Sequence, residues 1–443
     1  MSVPVQYSIS GRSASQVAES VEQAVRRGHL GPGGNLPTVR ALARRLGLSP
    51  ATVAAAYRVL QSRGLVTGQG RRGTRVAFRP PLVTPRLEGE VPEDLVDVAT
   101  GNPDPALLPP WGPVLGALPR KPLLYNVAAH RPALIRLASR EFEADAIPTG
   151  AVAVVGGAMD GIERVLQAHL RPGDLVAVED PGYSGVLDLL GALGLVPEPV
   201  ALDDEGVRPE ALATAVARGA RAVVLTPRAQ NPTGAALTPS RARRLRALLD
   251  EHPAVLVVED DHAGPVAGVP ALTVCHRRRE RWAVVRSVSK WLGPDLRLAL
   301  LAGDPTTVGR VEGRQALGSG WVSHLLQDLV VALWAEPRTE ARLARAAAAY
   351  RERRDALVTA LARRGVPAQG RSGLNVWVPV SEEGPVLTAL ATAGWAVRGG
   401  QRYRIRSRPA IRITTAALLP ADGERLAADI ARALRPARRT APA

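Results

Sequence analysis

The stretch Arg286-Ser-Val-Ser-Lys290, continuing as Trp291-Leu-Gly-Pro-Asp-Leu-Arg297, decides how this chain is read. It follows an apolar run ending at Val285 and so stands where a buried strand gives way to a loop. Small hydroxyl residues, one lysine and, seven positions later, one arginine are gathered there. Lysine is scarce in the chain: Lys121 and Lys290 are its only two. A lysine amine forms a Schiff base with an aldehyde, while hydroxyls and a guanidinium fork suit a dianionic phosphate. Both demands are those of pyridoxal phosphate, which makes Lys290 the candidate amine.

Upstream, Val255-Leu-Val-Val-Glu-Asp-Asp-His262 leaves Asp260 at the C-terminal end of a buried strand, where open α/β sheets place ligands. A carboxylate there keeps a pyridinium nitrogen protonated. Asn231, in Gln230-Asn-Pro-Thr-Gly234, is suited to hydrogen-bond a ring hydroxyl, and Tyr183 to stack on a ring face. Apolar runs at 152–155, 175–178, 222–225, 255–258, 283–285 and 298–301 alternate with Ala/Leu/Arg helical stretches, which predicts a largely parallel sheet flanked by helices. From about Glu340, a long helix and short strands near 373–380 and 410–414 read as a smaller α+β lobe.

The order Gly156-Gly-Ala-Met-Asp160, Tyr183, Asn231, Asp260, Lys290, Arg297 and Arg412 resembles fold-type I aminotransferases over residues 95–435. The resemblance implies a large parallel-sheet lobe, a small α+β lobe and pyridoxal 5'-phosphate held as an aldimine on Lys290. It implies that the Ala158 and Met159 amides, Ser287, Ser289 and Arg297 hold the phosphate. By the same resemblance Arg412 grips an effector or substrate carboxylate, and Tyr125 reaches the neighbouring subunit's site in a homodimer. His262 stands where that family commonly has a tyrosine on the ring hydroxyl. Either imidazole takes over that bond or His262 is an ordinary structural histidine.

The N-terminus reads differently. Val17, Val21, Ala24 and Val25 carry helical spacing behind a cap at Ser15; Thr38 caps a helix to Leu46; Ser49 and Pro50 open another to about Arg63. Residues 65–67 and 74–78 form a hairpin whose tip, Gly68-Gln-Gly-Arg-Arg-Gly73, is basic. A helix starting at Ser49 brings Thr52 and Arg58 toward base edges. Leu36-Pro-Thr-Val-Arg40, the helix-turn-helix spacing and Gly70-Arg-Arg-Gly-Thr74 resemble the winged helix-turn-helix of the GntR family. That resemblance implies that Arg40, Ser49 and Thr52 approach DNA, with Gly70 and Arg71 at the wing tip. Pro50 and Ala54 depart from the family, and the alternative is that these arginines are a merely solvated basic face.

The charge is distributed to match. Of a net +16, residues 1–78 hold +9, from eleven arginines against Glu19 and Glu22, a footprint for a polyanion. Hydrophobic residues make up 46% of the 443, enough for a large core, and no apolar run is long enough to span a bilayer, so a cytoplasmic protein without a membrane partner is expected. The single Cys275 excludes an intramolecular disulfide and a thiolate metal cluster, and no metal is expected. The expected organisation is a DNA-binding domain at 1–78, a Pro-rich linker at 79–94, an aminotransferase-like domain at 95–435 and a tail at 436–443. This pairing resembles the MocR group of regulators, and the variants Glu259-Asp-Asp-His262 and Leu292-Gly-Pro-Asp295 resemble its PtsJ/YczR-like members. The resemblance implies a transcriptional regulator of double-stranded promoter DNA that responds to pyridoxal phosphate or to an amino-group-containing effector. The alternative is a working aminotransferase with an accessory DNA-binding domain; on the regulator reading, enzyme activity shrinks to a residual half-reaction.

Overall fold

The computed structural model describes residues 8–68, 73–77, 91–116, 118, 121, 123–125 and 127–435. Contacts divide the chain into two compact units, one of residues 1–89 with 169–176 and 184–198, the other of residues 90–168, 177–183 and 199–443. The expected linker at 79–94 falls mostly outside the described residues, and the tail at 436–443 wholly so.

Residues 8–68 and 73–77 form α1 (Ala14–Arg26), α2 (Val39–Leu46), α3 (Pro50–Ser62) and two antiparallel strands, β1 (Val66–Gly68) and β2 (Thr74–Val76). The caps set these boundaries. Thr38 and Ser49 each accept from the amide three residues on, and Pro50 occupies the first turn of α3 without wasting a donor. The cap of α1 is Ser13 rather than Ser15: Ser13 has the extended backbone a cap needs and its hydroxyl accepts from Gln16 N, whereas Ser15 already lies in the first turn. Val17 and Val21 from α1, Leu42 from α2, and Val53, Ala56 and Leu60 from α3 close a core with Leu65 and Val76. Tyr57 adds a hydrogen bond from its hydroxyl to Pro37 O at 2.7 Å, and its burial pushes the phenol up to about 12.

After β3 (Val96–Asp97) come the strands of the large sheet: β4 (Ala151–Val155), β5 (Leu175–Asp180), β6 (Val196–Asp203), β7 (Gly206–Val207), β8 (Ala222–Leu225), β9 (Leu256–Asp261), β10 (Trp282–Ser287) and β11 (Ala299–Gly303). Their order is β4-β11-β10-β9-β8-β5-β6-β7. β8, β9 and β10 are parallel, as their continuous burial suggests, but β11 runs antiparallel to both β10 and β4, so the sheet is mixed. The reason is chain length. Only residues 288–298 join β10 to β11, carrying Lys290 and a short 3-10 turn, too few for the helical crossover that parallel neighbours need.

The smaller lobe contains β12 (Asn375–Pro379), β13 (Trp395–Ala396), β14 (Arg398–Gly399) and β15 (Ala410–Thr414). Its three-stranded sheet has the order β12-β15-β14, and β13 pairs in parallel with β3, so the first strand after the linker belongs to this lobe. The helix Pro337–Ala362 and the helix Pro420–Ala433 cover Val376, Val378, Ile411, Ile413 and Trp395 with Leu357, Leu361, Leu426 and Ile430. Among the described residues no helix is long and apolar enough to cross a membrane.

The helix Ala158–His169 lies hard against the sheet at Gly161, where an added methyl would meet Val155 and Val285 γ-carbons at 3.0 Å. Both valines are fully buried. Gly161→Ala is therefore expected to lose about 1–3 kcal/mol to overpacking, more than the roughly 0.5–1 kcal/mol of helix propensity it gains. Urea denaturation of the two proteins measures the difference.

Candidate functional site

Two regions carry the chemistry. In the N-terminal region, Arg40, Arg44, Arg45 and Arg58 are exposed and none has a carboxylate partner among the described residues. Glu22, by contrast, is taken by Arg26 at 3.0 Å and Arg63 at 2.8 Å. Acidic groups are thus spent away from α2 and the α3 N-terminus, which leaves that face positive. Ser49 and Thr52 turn toward each other: their hydroxyls are 2.8 Å apart and Ser49 Oγ accepts from Thr52 N at 3.1 Å. Ser49 therefore builds the start of α3 first. Gly70 and Arg71 lie outside the described residues.

In the second unit the strand ends converge. The loop after β4 carries Gly156 and Gly157 into the helix that starts with Ala158 and Met159; Gly156 N donates to Asp160 Oδ2 at 2.8 Å, and Arg164 balances that carboxylate at 2.8 Å. Gly157 has φ +100°, and a methyl there would sit 3.4 Å from Arg297 Nη2, so the glycine admits the guanidinium close to the helix start. Ser287 Oγ donates to Ser289 Oγ at 3.0 Å just after β10. Amides of Ala158 and Met159, the two hydroxyls and Arg297, all at the β4, β11 and β10 end, are groups that could hold a phosphate.

At the end of β9, Asp260 is buried and its Oδ1 is without a hydrogen-bond partner among the described residues. Burial, reinforced by Asp261 and Glu179, pushes its carboxyl up to about 7. An isolated acceptor of that kind is costly unless something donates to it, and a protonated ring nitrogen is such a donor. Lys290 Nζ donates to Gly101 O at 2.6 Å. Gly101 has φ +73°, and a methyl on it would come 3.4 Å from the Arg412 terminal nitrogens. Arg412, on β15, also donates to Ala99 O and, at 3.4 Å, to Asn231 Oδ1; its guanidinium lies over the Tyr403 ring. These residues fit pyridoxal phosphate: a phosphate cradle, an amine, an unpaired carboxyl for the ring nitrogen and a buried arginine for a carboxylate.

Other expected residues lie at the margin. Tyr183 is 37% exposed at the end of the loop after β5, and Tyr125 is 91% exposed, its ring edge-on to Trp321 at 5.9 Å. His262 donates through Nε2 to Ala229 O at 2.8 Å.

A group that sequence reasoning passed over lies on the opposite face of β9. Asp261 receives Arg228 at 2.8 Å and Arg286 at 2.7 Å, and Arg286 also holds Asp145 at 2.5 Å. Although burial opposes the charge, the two guanidiniums hold the Asp261 carboxyl far below the ordinary carboxylate range. Arg286 and Asp261 are register partners on β10 and β9. A charged residue inside each of two apolar strands was the available signal.

The two neighbouring aspartates should respond oppositely. Asp261→Ala leaves two buried guanidiniums with only the partly exposed Asp145 to share and is expected to cost about 3–5 kcal/mol in a denaturation experiment. Because its folded pKa is depressed, Asp261 contributes stability above the unfolded value of about 3.9 that is lost as pH falls below it. Asp260, whose folded pKa is raised, loses stability as pH rises from about 4 to about 7. Asp260→Asn should therefore melt higher than wild type at about pH 8 when no cofactor is added, with the gap closing toward about pH 4.

Comparison with known proteins agrees with both halves. The family of bacterial regulatory proteins of the gntR type matches residues 13–76, and the aminotransferase class I and II family matches residues 125–430. The chain is 42% identical over 431 residues to the vitamin B6 salvage pathway transcriptional repressor PtsJ of Salmonella typhimurium, spanning 96% of this chain and 99% of that one. It is 27% identical over 359 residues to the pyridoxine biosynthesis transcriptional regulator PdxR of Corynebacterium glutamicum, 77% of each chain. Among solved structures, LysN, an α-aminoadipate aminotransferase of Thermus thermophilus, matches with a TM-score of 0.69 at 23% identity, over 79% of this chain and 95% of that one. The kynurenine aminotransferase of Pyrococcus horikoshii gives 0.69 at 21% identity, over 77% and 91%. These two share the fold of the second unit. A gntR-type head, a fold-type I aminotransferase body and a relative alike over nearly its whole length meet in one chain, which belongs to the MocR-type, DNA-binding transcriptional regulators.

Proposed function

We propose that this regulator binds promoter DNA through residues 1–78 and that occupancy of the Lys290 site by pyridoxal phosphate, or by an amino-group-containing effector that reacts with it, changes that binding. The observation that carries the reading is the buried Asp260 oxygen, unpartnered among the described residues, in the same site as Lys290, within a chain whose N-terminal region presents four arginines with no carboxylate partner among the described residues. The 42% identity to a vitamin B6 salvage repressor extends over both halves and supports control of vitamin B6-related genes.

When bound, the cofactor supplies an aldehyde that captures amines and an electron-withdrawing ring. The chain's own residues then have distinct tasks. Asp260 holds a proton at the ring nitrogen, which its burial makes a strong partner. Ser287, Ser289, Arg297 and the amides at Ala158 and Met159 take the phosphate, while Asn231 takes the ring hydroxyl and Tyr183 the ring face. Lys290 presents its amine beside the Gly101 carbonyl, and Arg412 offers its fork to an effector carboxylate. In the head, Arg40 and Arg58 meet phosphates or base edges with Thr52 at the start of α3.

The protein acts in the cytoplasm as a homodimer in this reading. Leu115, Leu123, Leu124 and Tyr125 are all more than 40% exposed, apolar side chains that a second copy would cover so that Tyr125 reaches the partner's site. Leu124→Glu should shift the mass measured by light scattering toward a monomer.

Titration of the promoter-proximal DNA with the full-length protein, with and without pyridoxal phosphate, tests the central claim. DNA affinity should change with the cofactor in wild type and not in Lys290→Ala. Arg40→Ala should weaken binding to every sequence and reduce the salt slope by about one. Sustained transamination of amino acids combined with DNA affinity indifferent to the cofactor would sink the proposal in favour of an enzyme.

A further inference from the structure

We infer that His262 accepts a hydrogen bond from the ring hydroxyl of the cofactor through Nδ1, so that the hydroxyl keeps its proton. The inference rests on the pyridoxal phosphate site described above and specifies how this chain tunes it.

Sheet order supplies the placement. The phosphate cradle lies at the ends of β4, β11 and β10, Asp260 lies at the end of β9, and Asn231 follows β8. In pyridoxal phosphate the hydroxyl and the phosphate arm flank the aldehyde carbon on opposite sides. With Asp260 on the ring nitrogen and Lys290 at the aldehyde, the hydroxyl side falls toward the loop after β8, which carries Asn231 and which His262, just beyond β9, touches at Ala229 O. His262 is two residues beyond Asp260, and the loop carbonyl it bonds, Ala229 O, precedes Asn231 by two residues.

The polarity follows from the partners. A carbonyl oxygen only accepts, so His262 Nε2 carries the hydrogen in its 2.8 Å bond to Ala229 O. Burial above all lowers the imidazole pKa to about 4, the Ala229 bond and Asp261 only partly opposing it, so the ring is neutral. Nδ1 is then a lone-pair acceptor and nothing else. Asn231 is arranged the other way: its Oδ1 receives Arg412, which leaves its amide hydrogens to donate. A neutral hydroxyl fits both neighbours, donating to His262 and accepting from Asn231. A tyrosine in place of His262 would instead donate and favour the oxyanion.

The consequence is electronic. Lys290 and the aldehyde join with loss of one water, and one proton is then shared between the hydroxyl oxygen and the new nitrogen. An acceptor beside the oxygen keeps that proton on oxygen; a donor sends it to nitrogen. The first form absorbs in the near ultraviolet and the second in the visible.

The test compares absorption spectra of full-length wild type and His262→Tyr, each loaded with pyridoxal phosphate. The expected result is a severalfold higher ratio of visible to near-ultraviolet absorbance in His262→Tyr; superimposable spectra overturn the inference. Should His262→Tyr not fold, nitrogen-15 NMR of the wild-type histidine rings decides. His262 should show a protonated Nε2 and a bare Nδ1 whose resonance moves when pyridoxal phosphate is added, and a protonated or unmoved Nδ1 overturns the inference. Borohydride reduction followed by peptide mapping separates the two levels: a cofactor adduct on Lys290 with no effect of His262 refutes this inference alone, whereas no adduct refutes the cofactor site and the inference with it.

Discussion

The site depends on one constraint of β geometry: neighbouring residues on a strand point to opposite faces. Asp260 and Asp261 are adjacent at the end of β9, yet one meets two guanidiniums and the other meets none. Because the charge on Asp261 is satisfied by Arg228 and Arg286, strands β8, β9 and β10 are tied together at their C-terminal ends. The same pairing turns those arginines away from Asp260, whose carboxyl is left in an apolar setting with only negative neighbours. One aspartate stabilises the platform and the next is held in a form that favours a cationic partner.

Function is built on unfavourable energetics that the rest of the fold offsets. A buried acceptor without a donor is a cost of order 1–3 kcal/mol, and here it is concentrated at the point where a protonated ring nitrogen repays it. Binding free energy and folding free energy are thereby linked, since a ligand that satisfies Asp260 stabilises the state that presents Lys290, Asn231 and Arg412 together. A regulator needs this kind of dependence more than it needs turnover, because its output is a population of conformations rather than a product.

Much of this was legible beforehand. The strand runs, the caps at Thr38 and Ser49, and the order Tyr183, Asn231, Asp260, Lys290, Arg297, Arg412 all read directly, because each is either a local hydrogen bond or a residue type that the chemistry requires. The antiparallel β11 was not, since the apolar run at 298–301 carries no direction; only the short connection through Lys290 forces the reversal. The cap shift from Ser15 to Ser13 is similar, as both hydroxyls are close enough to compete and the backbone angles decide between them.

The amino-acid sequence by itself determined the chemical inventory and the two classes of element that carry it: a basic helix-turn-helix and an α/β body with a single candidate amine. Tertiary structure decided what each of those groups faces. The carbonyl that receives Lys290 is 189 residues away in the chain, and the one that receives Arg412 is 313 away. Arg228, in the loop after β8, and Arg286, on β10, share Asp261, and a loop carbonyl selects the proton position on His262. Such partners are set by which strands lie side by side, and side-by-side packing is a property of the assembled sheet rather than of any local run of residues.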